Sequence, residues 1–138
     1  MYALYDIITG KNGRGEKIAK FPDQQEFLES IHDHLIRLLN ARQGVLRHLP
    51  DYGLPDLDTF YRELPYSEQD IAYAVKTVIE KYEPRLENVR VQPRARDIRK
   101  CVVRMEISGR LQDGTQVRFQ TLFKSNYQAQ IMQPHRML

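Results

Sequence analysis

The chain has 138 residues, 41% of them hydrophobic, with 21 basic and 18 acidic side chains and a single cysteine. This length suits one domain whose core needs no disulfide or metal, and one cysteine excludes an internal disulfide framework. No stretch approaches the roughly 20 apolar residues that span a bilayer, and the first ten residues lack the basic leader of a signal peptide. We therefore expect a cytoplasmic protein without direct membrane insertion. Residues 23–138 are expected to form one domain, and residues 1–22 an N-terminal arm that is flexible or ordered by a partner.

The net charge of +3 is unevenly distributed along the chain. Residues 23–83 carry six bases and twelve acids, a net −6, whereas residues 84–110 carry eight bases and three acids, a net +5. An acidic part followed by a basic part indicates a surface with two different partners. Nucleic acid is the alternative partner for the basic part, but no aromatic residue alternates with its arginines and no nucleic-acid-binding module is recognisable. We expect protein partners and no nucleic acid.

Apolar residues at helical spacing predict two main helices. The first begins at Asp23, whose carboxylate can cap the first turn, and ends near Gly44, which can adopt the left-handed cap. The second begins at Ser67 and ends near Glu83, because the proline that follows disfavours helical geometry in the residue before it. Residues 45–66 are too long and too apolar for a simple linker, so we expect an ordered loop that packs on the helices.

After the second helix the apolar period changes from 3.6 to 2, which predicts strands. A short strand begins near Val89 and closes at Pro93. The inward faces of the next two strands consist of Cys101, Val103, Met105, Ile107, Gly109 and Leu111 and of Val117, Phe119, Thr121 and Phe123. A three-residue loop, residues 112–114, pairs Ile107 with Phe119 and places its glycine where φ must be positive, whereas a two-residue loop would oppose apolar and polar faces. The sequence therefore predicts an α+β domain, in which two main helices precede a small antiparallel β-meander with a C-terminal hairpin.

Catalytic signals are weak. His32 and His34 lie two residues apart on a helix, so they point about 200° apart and cannot share a metal; we expect both to be solvated. Cys101 lies on an apolar strand face, which indicates a buried, inert thiol. Glu80 and Glu83 share a helix face as the paired carboxylates of a glycosidase could, but such pairs are common on solvated helices. We expect a protein that is not an enzyme, with no catalytic residue, cofactor or metal.

The tripeptide Glu83-Pro84-Arg85 is the most distinctive feature of the sequence. Pro84 fixes the turn out of the second helix and leaves opposite charges on either side of a rigid corner. One interpretation is a local surface ion pair. The other is a preset charge fork for another protein, because arginine binds carboxylates through two coplanar hydrogen bonds. Both interpretations place the corner at the surface, so replacing Arg85 by glutamate is expected to leave the domain folded.

Three segments taken together resemble a known family. They are Leu38-Leu39-Asn40-Ala41-Arg42-Gln43-Gly44, then Asp51-Tyr52-Gly53-Leu54-Pro55-Asp56-Leu57, then Tyr82-Glu83-Pro84-Arg85-Leu86 followed by Val89-Arg90-Val91. In this order they resemble TssE, the baseplate-wedge subunit of the type VI secretion system. TssE proteins are in turn similar to phage-tail baseplate wedge proteins that initiate the contractile sheath. The likeness covers roughly residues 25–131.

The resemblance implies a structural protein of a baseplate built with TssF, TssG and TssK. In that family the corner from Glu83 to Arg85 contacts the wedge core of TssF and TssG, and Tyr52 in the second segment is a further expected interface residue. The C-terminal strands are implied to offer a sheet edge to the sheath proteins TssB and TssC, so that polymerisation starts at the baseplate.

Two further surfaces are expected to take part in interfaces. The basic band from Arg90 to Arg110 carries Arg104 and Arg110 on the polar strand face, and we expect it to meet an acidic protein surface. The last segment, residues 124–131, has few charges and apolar anchors at period two. It includes Asn126 and Tyr127, and it is expected to be an edge strand that can pair with an added chain.

Two other functions are compatible with the sequence. The same fold is similar to a bacterial anti-adaptor, which binds a response-regulator adaptor and blocks proteolysis; such a protein needs no sheath-templating edge. The second is a muramidase, since lysozyme-like labels have been attached to relatives. The sequence offers no acid pair that supports this activity.

Overall fold

The structure, a computed structural model, describes residues 24–95 and 101–137. Within these ranges the chain folds into three helices followed by five strands. They are α1 (Gln24–Asn40), α2 (Asp58–Arg62), α3 (Glu68–Tyr82), β1 (Glu87–Arg94), β2 (Val103–Arg110), β3 (Gln116–Phe123), β4 (Ala129–Ile131) and β5 (His135–Met137). All pairings in the sheet are antiparallel, so the predicted α+β class is confirmed. No helix in the described ranges has the length and apolar character needed to cross a membrane.

Helix α1 follows the predicted periodicity, and its apolar face is fully buried at Ile31 and Leu35. It ends at Asn40, where Arg42 donates a hydrogen bond to the Leu39 carbonyl oxygen (3.1 Å) and places a positive charge at the negative end of the helix. Gly44 has the expected positive φ of 90°, but it lies four residues beyond the helix and its N–H bonds to a loop carbonyl. It shapes the loop and does not cap the helix. Asp23, the expected N-terminal cap, lies outside the described residues.

Helix α3 ends at Tyr82, as the proline at position 84 predicts. It begins at Glu68, one residue after the predicted start, and the Ser67 hydroxyl donates to the Phe60 carbonyl oxygen of α2 and does not cap α3. The loop between the long helices packs on the core through Leu54 and Leu57, both fully buried, as predicted. The short helix α2 within it was not predicted, since five residues are too few for a period to be recognised.

The sheet has the order β1-β2-β3, with β4 and β5 both along the far side of β3. The predicted hairpin register is confirmed, because Val103 pairs with Phe123, Ile107 with Phe119 and Gly109 with Val117. The three-residue loop is closed by a hydrogen bond from the Leu111 N–H to the Thr115 carbonyl oxygen (2.8 Å), and Gly114 has φ 91°.

Strand β1 is longer than predicted, because it continues through Pro93 to Arg94. Leu111 and Thr115 form a hydrogen-bonded pair, so by alternation the odd-numbered residues of β2 bond to β3 and the even-numbered ones to β1. In the register of β1 with β2, even-numbered residues pair with even-numbered ones, so the backbone groups of the even-numbered residues of β1 form the hydrogen bonds to β2. The nitrogen of Pro93 therefore points away from the sheet, and a proline there removes no ladder hydrogen bond.

The helices cover one face of the sheet and form a single core with it. The inward residues of β2 and β3 are fully buried at Val103, Met105, Ile107, Val117, Phe119 and Phe123. The opposite face of the sheet carries the polar residues of each strand and is open to solvent.

Candidate protein interface

The corner after α3 is buried, so the expected surface position of its charges is wrong. Glu83 is 1% exposed and the side chain of Arg85 is 8% exposed. The arginine folds back on the glutamate, with Nε 2.6 Å from Oε1 and an Nη 3.1 Å from Oε2. The proline turn therefore makes a two-bond ion pair inside the chain, and the guanidinium fork is already occupied by Glu83.

Helix α1 supplies the other partners of this buried pair. The His34 ring lies in hydrogen-bond contact with the Glu83 carboxylate, and Arg85 donates to the Ser30 hydroxyl (2.8 Å). The guanidinium also lies over the Phe27 ring, 5.7 Å from its centroid. The corner thus joins the end of α3 to the side of α1, which fixes the angle at which the chain enters the sheet.

The charge state of Glu83 follows from these contacts. Burial raises the pKa of its carboxyl, but the hydrogen bonds from His34 and Arg85 and their positive charge lower it by more, so the pKa lies below its usual value. Glu83 is therefore ionised at neutral pH. A buried carboxylate is stable only while its charged partner remains, which gives Arg85 a structural role.

Tyr52 lies beside the corner and is half-buried. Its ring packs edge-on against Tyr82 with 5.1 Å between ring centroids, and burial raises the pKa of the Tyr52 hydroxyl. The Asp51 carboxylate accepts hydrogen bonds from Lys81 and Tyr82, which lower its pKa. The second motif segment is thereby fixed to the end of α3, two residues before the exposed Pro84. An interface role for this surface, including Glu83, Pro84, Arg85 and Tyr52, stays a prediction.

The polar face of the sheet carries the expected basic band. Residues 96–100 of the predicted band lie outside the described residues. Its described arginines are Arg90, Arg94, Arg104 and Arg110, and Arg118 of β3 lies beside them. Glu106 lies between them and accepts hydrogen bonds from Arg94 (3.0 Å) and Gln120 (3.1 Å), with an Nη of Arg118 at 3.5 Å. Burial raises the pKa of Glu106, but these partners lower it below its usual value. No pattern in the sequence indicates this central acid, which joins side chains of three strands.

The two arginines predicted at this face differ in their freedom. Arg104 is held by the Gln120 side chain (3.0 Å) and the Ala95 carbonyl oxygen (3.0 Å). Arg110 is 47% exposed and lies 3.5 Å from Glu87, which is itself 42% exposed. Both positions lie on the solvent face as predicted, and a partner surface on them stays a prediction.

The C-terminal segment is not the continuous strand that its period suggested. Asn126 accepts a hydrogen bond from the Gln128 N–H (3.1 Å), and Tyr127 has φ 69°, so both residues form a turn. The Tyr127 ring packs on Tyr61 with 4.7 Å between centroids. Strand β4 begins only at Ala129, after this turn.

Helix α1 covers the outer edge of β4, which we call the closed edge. The Asn40 side chain accepts from the Ala129 N–H (2.8 Å) and donates to its carbonyl oxygen (3.1 Å). His32 Nε2 lies 2.8 Å from the Ile131 carbonyl oxygen. These backbone groups are the ones an added strand would need, so the open edge expected here is closed at Ala129. Sequence reasoning missed the contact because Asn40 and Ala129 are 89 residues apart.

The residues considered for catalysis have structural partners. His32 is 7% exposed and bonds to β4, and His34 bonds to Glu83, so the expectation that both are solvated is wrong. Cys101 is 6% exposed, which confirms the buried thiol. Glu80 is exposed while Glu83 is engaged in the buried pair, so the two carboxylates share no cleft. The described part of the chain contains no group of three metal-ligating side chains.

Comparison with known proteins assigns a family. The family described as "Baseplate wedge protein gp25" matches residues 25–116, which are 92 of the 138 residues. The chain belongs to this family. All three motif segments lie inside the matched range, so the resemblance to TssE-like wedge proteins is confirmed. The family gives the chain a structural role in a baseplate. No curated protein matches the chain significantly.

A solved structure shares the fold of this wedge protein. It is described as "The baseplate complex from the type VI secretion system", and the match covers 83% of this chain and 98% of that chain. The TM-score is 0.50 and the sequences are 23% identical. At this identity the similarity establishes a common fold.

Proposed function

We propose that the chain is the TssE-like wedge subunit of a type VI secretion baseplate in the cytoplasm, where it docks on the wedge core of TssF and TssG and starts assembly of the TssB/TssC sheath. Membership of the baseplate wedge family is the observation that carries the assignment. The fold shared with a chain of a type VI baseplate complex supports the choice of secretion system. In this role the protein acts through its surfaces and catalyses no reaction.

Docking on the wedge core uses the surface around the corner after α3. The ion pair between Glu83 and Arg85 is not offered to the partner, because both side chains are buried. Its function is to hold the shape of the corner, on which Pro84 is exposed and Tyr52 is half-exposed. The second docking surface is the turn at Asn126 and Tyr127, which is exposed beside α2 and suits a further baseplate subunit such as TssK.

Sheath initiation uses an edge of the sheet. The closed edge at β4 is engaged by α1, whereas no strand among the described residues pairs with the outer side of β1. Unpaired N–H and C=O groups on an edge strand can template an incoming strand. Strand β1 is therefore the edge from which the sheath starts, and the odd-numbered residue Val91 presents both backbone groups to it.

The test is a proline substitution in β1, compared with one in the β2–β3 loop, in a reconstituted assembly of wedge core, sheath subunits and full-length chain. Val91→Pro removes the outward N–H of β1 and should abolish sheath assembly while the chain still folds and binds TssF and TssG. Gln112→Pro is the matched control and should leave sheath assembly intact, because Gln112 is exposed at the second position of the turn that the Gly114 N–H closes on the Leu111 carbonyl oxygen, where proline is favoured. Normal sheaths with Val91→Pro, in a variant shown to fold and bind the core, would contradict initiation at β1.

A further inference from the structure

The apolar core is incomplete at β1. Met105 and Ile107, the inward residues of the neighbouring strand, are fully buried. Val91 and Pro93, which pair with them on β1, are each only partly buried. At the closed edge the inward residues Ala129 and Ile131 are 6% exposed, because α1 packs beside them. Val91 and Pro93 therefore leave apolar surface on β1 that the side chains of a partner can cover.

The opposite side of β1 is basic. Arg90 and Arg94 project onto the polar face four residues apart, and they pair with Ser108 and Arg104 of β2. Arg94 is held by Glu106, whereas Arg90 is exposed and makes no ion pair with any residue in the described ranges. A side chain brought beside β1 on this face therefore meets two positive charges, one of them uncompensated.

The backbone of β1 limits how a partner strand can pair. Val91 offers both an outward N–H and an outward C=O. Pro93 offers a C=O but has no N–H, so the ladder can continue past it only on the acceptor side. The bulge between Glu87 and Arg90 ends regular pairing at the other end. The regular edge therefore runs over residues 90–94, which is about a typical strand length.

We propose that the β1 edge binds a strand in which aliphatic residues alternate with acidic residues. Its aliphatic side chains cover Val91 and Pro93 and complete the core, while its carboxylates lie beside Arg90 and Arg94 on the polar face. Alternation is required because successive side chains of a strand point to opposite faces. This inference rests on the proposed function, since the strand would belong to a sheath subunit, and it names the chemistry that this subunit must present.

The probe is a set of short labelled peptides added to the full-length chain. One peptide alternates valine and glutamate, the second has lysine in place of glutamate, and the third has the composition of the first without its alternation. N-methylation of the amides that face away from β1 prevents the peptides from growing into extended sheets, and working at low peptide concentration limits pairing through the remaining edge. Binding is measured by fluorescence anisotropy, and its site is located by backbone amide chemical shifts in NMR.

The valine–glutamate peptide should bind at least about tenfold more tightly than either other peptide, with shifts centred on Val89 to Arg94. Charge exchange gives the sharper readout. Replacing Arg90 by glutamate should weaken binding of the glutamate peptide and strengthen binding of the lysine peptide. Replacing Arg62, an exposed arginine on α2 away from the sheet, by glutamate is the control and should change neither affinity.

Three results would overturn the inference. They are equal affinity for the glutamate and lysine peptides, shifts centred on β4, and a preference for arbitrary duplex DNA with a steep salt dependence. Failure of the two proposals can be told apart. If the glutamate peptide does not bind but Val91→Pro still blocks sheath assembly, initiation at β1 stands and the chemistry assigned to the strand is wrong. If the glutamate peptide binds at β1 but the Val91→Pro variant starts sheaths normally, the preference of β1 for such strands stands and the proposed function is wrong.

Discussion

Replacing Arg85 by alanine should lower the free energy of unfolding by about 3–5 kcal/mol, the usual cost of removing one partner of a buried ion pair. The structure supports this size. Arg85 makes hydrogen bonds to Glu83 at 2.6 and 3.1 Å, and a charge-assisted bond contributes about 1.5–3 kcal/mol. Without it, Glu83 is left 1% exposed and ionised, with the His34 ring as its partner. A domain of this size has about 5–15 kcal/mol in total, so the variant should be close to unfolding.

The assay is urea unfolding followed by circular dichroism. Arg85→Lys keeps the charge but cannot form the two-bond geometry, so its free energy of unfolding should lie between those of wild type and Arg85→Ala. Arg110→Ala is the matched control, because its ion pair with Glu87 is nearly half-exposed on both sides and should contribute less than about 1 kcal/mol. Arg85→Glu, which would place two carboxylates in one buried site, should be the least stable. A loss under about 0.5 kcal/mol for Arg85→Ala would refute the reasoning, because so small an effect is typical of a solvent-exposed side chain and not of a buried ion pair.

Three further predictions concern pH, a glycine and the closed edge. The pKa of Glu83 in the folded protein is below its ordinary value of 4.5. The stabilisation by its carboxylate is therefore complete above pH 4.5 and is lost as the pH falls through the folded pKa. The stability of Glu83→Gln should accordingly depend less on pH in acid than that of wild type. Gly53→Ala should destabilise the domain by about 1–3 kcal/mol in thermal unfolding, because Gly53 has φ 99° and a Cβ there would lie 2.5 Å from the Ala41 backbone. Gly44→Ala is the control and should cost less, because Gly44 has φ 90° but no atom lies within 4 Å of the added Cβ. Asn40→Ala should lose about 1–3 kcal/mol and speed amide hydrogen exchange at Ala129. Unchanged exchange at that amide would show that Asn40 does not close the edge.

The part of the fold that the sequence predicts is the part with a repeating apolar pattern. Alternation in β2 and β3, together with one glycine in the loop, was enough to derive their register residue by residue. The corner was misplaced for a physical reason, since Glu83 and Arg85 are charged and their burial depends on His34 and Ser30, about 50 residues earlier in the chain. Single polar contacts over such separations leave no period in the sequence, and the same holds for Asn40 at the closed edge. From the sequence, Pro93 predicts the end of a strand, because a proline is tolerated within a strand only at a sheet edge and the strand order is not visible in the sequence.

The difference between the two edges also governs how copies of the protein can meet one another. If two copies paired through β1, a third copy that added at β4 would meet the Asn40 and His32 side chains, which already hold the backbone there. Growth of such a pair through β4 is therefore blocked. Antiparallel self-pairing would moreover bring the basic face of one β1 strand against that of the other. Both features oppose self-association through β1 and β4, so the sheet can accept a strand of another protein at β1 without adding further copies of itself at β4.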